Sequence, residues 1–275
     1  FKAIEDCSRC YDFIKKNNKV VIKPNLVKHI NESLDGNTDS LITNFSVIRP
    51  IIDYTIIALN GTGSIIVGDA PVQECNFAEV IKLYNLEEAI KKYNDFNYKV
   101  ELKDFRKNSN PEIECTVVDI GENSSLVETD EYYKKYAITN YNLKYMHSHH
   151  CQGKHEYLIA KDILDADVII NVPKPKCHRK AGITASMKNF VGVNSKKEYL
   201  PHHRNGSVAS HGDEYPESSF IKYCRSVAKN YSTSPIPYMH DTEATTITSF
   251  LDIKLDVALC LNSSISSFID ESFSI

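Results

Sequence analysis

Strands that run into polar loops and then into helical patterns predict an α/β fold: a mainly parallel sheet flanked by helices, with an inserted antiparallel or irregular region. Three observations carry this. Val20–Ile22, Ile65–Val67 and Val168–Ile170 are short apolar runs without alternation, the mark of strands covered on both faces. Proline or glycine closes each run, at Pro24, Gly68 and Pro173. The first two are followed by helical periodicity over residues 46–59 and 76–93.

Taken in order, residues 3–17 read as an amphipathic helix and Lys19–Asn25 as a buried strand. A polar loop over 26–44 leads to a helix from Ser46 to Leu59, closed by Asn60-Gly61. Gly63–Pro71 is the second strand, and the helix after it breaks near Asn85. Tyr98–Leu102, Ile113–Ile120 and the tyrosine-rich stretch 124–150 read as strands and loops of an insertion spanning about 97–150. Parallel order resumes at Ile159, and Asp167–Val172 is the third motif-bearing strand. In the segment after it, Ile183, Met187 and Phe190 are spaced for the buried face of a helix. Residues 194–216 form a long loop, expected to act as a lid or wall of the site. A helix near 218–229 and an apolar stretch from Phe250 to Leu261 complete the chain.

The chain has 275 residues, room for one large α/β domain or two small ones. A net charge of −4 argues against a general nucleic-acid binder, and no apolar run is long enough to span a bilayer. The eight cysteines are scattered, with Cys7-Ser-Arg-Cys10 as the one close pair, which suits reduced thiols and a cytoplasmic setting. No ferredoxin-type cysteine run is present. From Asn171 to His211 there are eight lysines and arginines against one acid, Glu198. A basic island on an acidic chain points to a small anionic ligand.

The strand ends supply the candidate site. In a parallel sheet the loops after the carboxyl ends of strands converge, and ligands bind there. Lys23 and Asn25 end the first strand, Asp69 the second, and Lys174, Lys176, Cys177 and His178 follow the third. Lys23, Lys174 and Lys176 would bind the anion, with Asn25, Asn189, His203 and Arg204 as further substrate contacts. His178 is the candidate general acid/base because free imidazole titrates near neutrality. Asp69 would orient it or hold a metal, and Lys188 would complete the catalytic set. A rival reading is a non-catalytic metal or redox-cluster binding protein, with a divalent metal on Cys177, His178, His202 and His211. Substrate, reaction and oligomeric state are not encoded in these motifs.

The same residues resemble the DUF362 domain family. The resemblance is carried by Val21-Ile-Lys-Pro-Asn-Leu26, Gly68-Asp-Ala-Pro71 and Asp167-Val-Ile-Ile-Asn-Val-Pro-Lys174. It is strongest at Lys176-Cys-His178, Gly182-Ile-Thr-Ala-Ser-Met-Lys-Asn189 and Gly192, and extends to Leu200–Ser207 and Gly212–Pro216. It implies one α/β domain over 1–230, with 231–275 divergent or truncated. Some family members carry a ferredoxin-like cysteine insert and are described as iron–sulfur proteins; this chain lacks the insert. A more distant likeness, of fold alone, is to the nickel-dependent lactate racemase.

Overall fold

The computed structural model describes residues 13–31, 36–138, 141–178 and 182–214. The expected helix near 218–229, the apolar stretch 250–261 and most of the first helix lie outside the described residues. Residues 13–17, the end of that expected helix, form turns instead.

Four strands make a parallel sheet in the order β3-β2-β1-β8. They are β1 (Lys19–Pro24), β2 (Ser64–Asp69), β3 (Val100–Asp104) and β8 (Val168–Val172). Every residue of β8 is buried, and Val20, Val21 and Ile22 of β1 are fully enclosed, as both faces of the sheet are covered. Successive side chains point to opposite faces. Val20, Ile22, Ile65, Val67, Val168 and Ile170 meet the helices α1 (Phe45–Leu59) and α3 (Leu86–Asp95) through Ile48, Ile52, Ile56 and Ile90. Val21, Ile66 and Ile169 face the other way, into Phe105, Tyr157, Ile159 and Phe190.

Local chemistry sets the helix ends. The Asn44 side chain accepts from Ser46 N–H at the start of α1, and Asn60 takes the left-handed conformation (φ 52°) at its end. Between α2 (Phe77–Leu83) and α3, Asn85 is also left-handed (φ 50°), the break that the sequence places near this residue.

The second face is covered by the insertion. Its three-stranded sheet pairs β4 (Cys115–Asp119), β7 (Lys154–Ala160) and β6 (His150–Cys151), all antiparallel. Beside it lie two 3₁₀ stretches within Ser125–Lys135, joined by a kink at Tyr132, the two-residue strand β5 (Tyr136–Ala137) and the helix α4 (Leu143–His149). The expected insertion began at about 97, but Val100–Asp104 is the fourth parallel strand, paired with β2. The antiparallel part begins beyond it. A short helix, α5 (Lys161–Leu164), connects β7 to β8.

The segment after β8 departs most from expectation. Lys176–His178 (β9) turns back to pair antiparallel with Gly182–Thr184 (β10), Gly182 adopting φ 80°. Only Ser186–Asn189 (α6) is α-helical, followed by a 3₁₀ turn, Phe190–Val193. Phe190 is buried as expected, but Ile183 and Met187 are exposed, because the hairpin lifts them off the core. A short strand β11 (His203–Arg204) pairs with β5.

Candidate functional site

β1 and β8 are neighbours in the sheet but far apart in sequence, so the chain order reverses between them. That crevice at the carboxyl ends of the strands is where open α/β sheets hold ligands. A cavity of about 280 Å³ lies here. It is lined by Lys23 near the end of β1 and Asn25 just past it, Asp69 at the end of β2 and Ala70–Val72 after it, Lys176–His178 of β9, Thr184, Lys188, Asn189, and Lys197 beyond Gly192.

Its base is a buried polar network. Lys23 Nζ lies 2.6 Å from Asp69 Oδ1, donates to Pro24 O (2.9 Å) and reaches Asn189 Oδ1 at 3.2 Å. Three acceptors around one amine suit an ammonium. Burial pulls the Lys23 pKa below that of an ordinary lysine, and the Asp69 carboxylate opposes this. The other Asp69 oxygen accepts Leu26 N–H at 2.7 Å. Asn189 Nδ2 bridges Lys23 O and Asn171 Oδ1, tying β1 to β8, while Asn171 Nδ2 holds Ser186 O at 2.9 Å. Thr43 donates to Val172 O and accepts Asn25 N–H, fixing the turn after β1.

Gly192 is part of this network through what it lacks. A Cβ there would overlap Asp69 Oδ1 and stand 2.6 Å from Lys23 Nζ, while Gly192 O accepts Ala70 N–H at 2.8 Å. The chain can pass over the ion pair at this distance only without a side chain.

Around the rim, Lys176 donates to Leu41 O (2.7 Å), and burial lowers its pKa to about 8. Lys188 Nζ lies 2.5 Å from His178 Nε2. Two cations cannot share a hydrogen bond, so the ammonium donates to the ring lone pair, and His178 is written as the neutral tautomer protonated at Nδ1. Lys197 is buried, and burial lowers its amine to about 7.

Of the residues expected at the site, Lys23, Asn25, Asp69, Lys176, Cys177, His178, Lys188 and Asn189 line this one cavity. Asp69 pairs with Lys23 rather than with His178. Lys174 lies outside the lining, where its charge acts on Asp39 and Lys176. His203 and Arg204 are also outside: His203 is buried on β11, and Arg204 pairs with Asp213 at 3.3 Å. The sequence puts them in the loop expected to fold over the site, but strand pairing with β5 carries them to the insertion. The expected wall is supplied by the start of the long loop, at Lys197, while residues 203–213 pack elsewhere. The candidate metal ligands do not gather. His202 is buried, its ring edge-on to Tyr141, and His211 stacks on Tyr132. Among the described residues no three histidine, cysteine or acidic side chains meet in a metal-holding cluster.

Two contributors were not singled out from the sequence. Lys197 looked like one more cation of an outer loop. Arg106, almost fully buried, forks onto Asp104 and donates to the carbonyls of Val72, Gln73 and Cys75. It thereby clamps the loop that walls the cavity after β2. The tripeptide Asp104-Phe-Arg106 gives no signal of this, because the three carbonyls are distant in sequence.

Comparison with known proteins then bears on residues 122–268, which match the family model of DUF362, a domain of unknown function. The chain belongs to the DUF362 family. The DUF362 match includes Lys176, His178, Lys188, Asn189, Gly192 and Lys197, whereas Lys23, Asn25 and Asp69 precede it. No curated protein and no solved structure matches the chain. Among the described residues of this DUF362 protein, no helix is long and apolar enough to cross a membrane.

Proposed function

We propose that this protein is an enzyme that acts on a small anionic substrate, a phosphorylated or carboxylated metabolite, bound at the carboxyl edge of its parallel sheet. One observation carries the reading: Lys23, Lys176, Lys188, Lys197 and His178 line the cavity with a single carboxylate, Asp69, which Lys23 and Leu26 N–H already engage. An anion entering the cavity meets the ammonium groups of Lys176 and Lys188, with no internal counter-charge left to displace, in a space where water screens poorly. At about 280 Å³ the cavity is at the small end of ligand sites, so it favours a compact metabolite over a nucleotide-linked one.

Within this reading the residues divide the work. Lys176 and Lys188 hold the anion. His178, oriented by Lys188, is the group that takes or gives a proton. Asp69 keeps Lys23 charged beneath the substrate. The free cysteines Cys75, Cys115, Cys151 and Cys177 suit a reducing, cytoplasmic setting.

The test is a calorimetric titration of inorganic phosphate at fixed low salt, against the wild type, Lys176→Ala and Lys196→Ala. Lys196 is the control because its ammonium sits 3.8 Å over the Tyr145 ring, outside the cavity lining. Removing one charged hydrogen-bond donor costs about 1.5–3 kcal/mol, so Lys176→Ala is expected to weaken binding roughly tenfold or more. Lys196→Ala should leave it nearly unchanged. Equal losses would indicate a diffuse basic surface rather than a site.

A further inference from the structure

We infer that Lys197 is a nucleophilic amine, and that the substrate is a small carboxylate or phosphate carrying a carbonyl group, which Lys197 captures as an imine. This deepens, and rests on, the anion-binding reading of the same cavity. The argument starts from a contrast between two buried lysines. Lys23 has three acceptors and a carboxylate at 2.6 Å, the surroundings of an ammonium. Among the described residues Lys197 has two hydrogen-bond acceptors, Val191 O at 3.3 Å and Asn194 O at 3.2 Å, and no carboxylate in salt-bridge range. A neutral amine has two N–H bonds and one lone pair, so two carbonyl acceptors use both protons and leave the lone pair for an electrophile.

The surroundings favour that neutral form. Lys197 is buried at the cavity wall, and burial is the largest cause of its low pKa; the Asp69 carboxylate opposes the shift, and the cations Lys23 and Arg106 add to it. Desolvation beside other cations is the standard way in which proteins keep a lysine nucleophilic. The rest of the cavity supplies what the chemistry needs. Lys176 and Lys188 bind the anionic end of the substrate, which places its carbonyl inside a cavity too small to let it wander. His178, whose Nε2 accepts from the Lys188 ammonium, lies on the same lining with its Nδ1–H as a proton donor.

The step balances with these groups. The Lys197 lone pair attacks the carbonyl carbon, and the C=O π pair moves to oxygen, which takes a proton. The nitrogen loses one proton. The oxygen takes a second and leaves as water, while the nitrogen pair closes the C=N bond. An amine, a carbonyl compound and one proton become an iminium ion and water. The iminium then draws electrons from the adjacent carbon, which suits decarboxylation, proton abstraction or carbon–carbon cleavage next to the carbonyl.

The experiment traps this bond in the full chain. Protein is incubated with pyruvate, reduced with sodium cyanoborohydride, digested and mapped by mass spectrometry. In parallel, binding of oxamate, an unreactive analogue of pyruvate, is measured by calorimetry. At pH 7 an amine with a pKa of about 7 is roughly a thousandfold richer in neutral form than an ordinary lysine, though intrinsically less nucleophilic. The expected result is one reduced adduct at Lys197, at least tenfold above any other lysine and absent from Lys197→Met. Adduct spread over exposed lysines, or centred on Lys176 or Lys188, overturns the inference. No adduct despite oxamate binding overturns it and leaves the anion site standing. Neither adduct nor oxamate binding overturns both. Should Lys197→Met fail to fold, the map on the wild type decides alone.

Discussion

Gly192→Ala probes the base of the site without removing a polar group. Gly192 has no positive φ, so alanine brings no backbone strain there, and its whole effect is the added methyl. That methyl would stand 2.0 Å from Asp69 Oδ1 and 2.6 Å from Lys23 Nζ, and ordinary contact begins at 3.4 Å. Relief therefore needs Asp69 to shift by about 1.4 Å. Stretching the Lys23–Asp69 contact from 2.6 Å by that amount loses on the order of 2 kcal/mol at an effective dielectric of about 20. Overpacking adds about 1–3 kcal/mol, and the stiffer unfolded chain returns about 0.4–1 kcal/mol. The net expectation is a destabilisation of about 2–5 kcal/mol, read as a lower urea midpoint at unchanged slope. The comparison is Gly153→Ala: Gly153 has φ 71° and open space around its missing side chain. That change carries only the left-handed backbone cost of about 1–2 kcal/mol. Phosphate binding should weaken in the first variant and not in the second. If Gly192→Ala proves no costlier than Gly153→Ala and binds phosphate normally, the ion pair yields freely. It then does not fix the floor of the site.

Other outcomes follow from the same geometry. Arg106→Met strips a buried guanidinium from Asp104 and from three carbonyls of the loop after β2. We expect it to cost about 3–5 kcal/mol in urea unfolding and to weaken phosphate binding, since Val72 of that loop lines the cavity. Phosphate or oxamate affinity should be highest below pH 7 and fall as pH rises from 7 to 9. Lys197 loses its charge near 7 and Lys176 near 8, and a calorimetric pH series with flat affinity would contradict this. The buried His150 and His202, whose pKa values desolvation pushes down to about 3, stay neutral in the fold while the unfolded chain binds protons below about 6.5. Stability should therefore be full above pH 7 and fall as pH drops towards 4. The loss is at most about 2.7 kcal/mol per histidine over two pH units, and unfolding midpoints that ignore pH between 6.5 and 4.5 would refute it.

β1, β2 and β8 were legible because each is a run of β-branched residues enclosed on both faces, a signal that needs no partner to be seen; β3, with Val100 its one buried residue, carries no such run and reads as part of the insertion. The convergence of Lys23, Asp69, Lys176 and His178 was legible for a related reason. Parallel sheets bring the carboxyl ends of their strands to one edge whatever the loops contain. The hairpin at Lys176–Thr184 was not. Ile183, Met187 and Phe190 keep helical spacing, and only the pairing of Gly182 with His178 turns the first two away from the core. His203 and Arg204 were misplaced because β11 pairs with Tyr136–Ala137, a contact across more than sixty residues of chain.

By itself, the sequence determined the strand positions, the edge of the sheet at which charge collects and the excess of cations there, because these follow from local pattern and from the geometry common to parallel sheets. Tertiary structure alone decided which lysines are ammonium and which is amine. Lys23 and Lys197 are the same residue type in equally buried positions. A carboxylate from β2 reaches one, and only backbone carbonyls reach the other. The charge of a buried amine is set by its neighbours in space, and those neighbours are chosen by the fold.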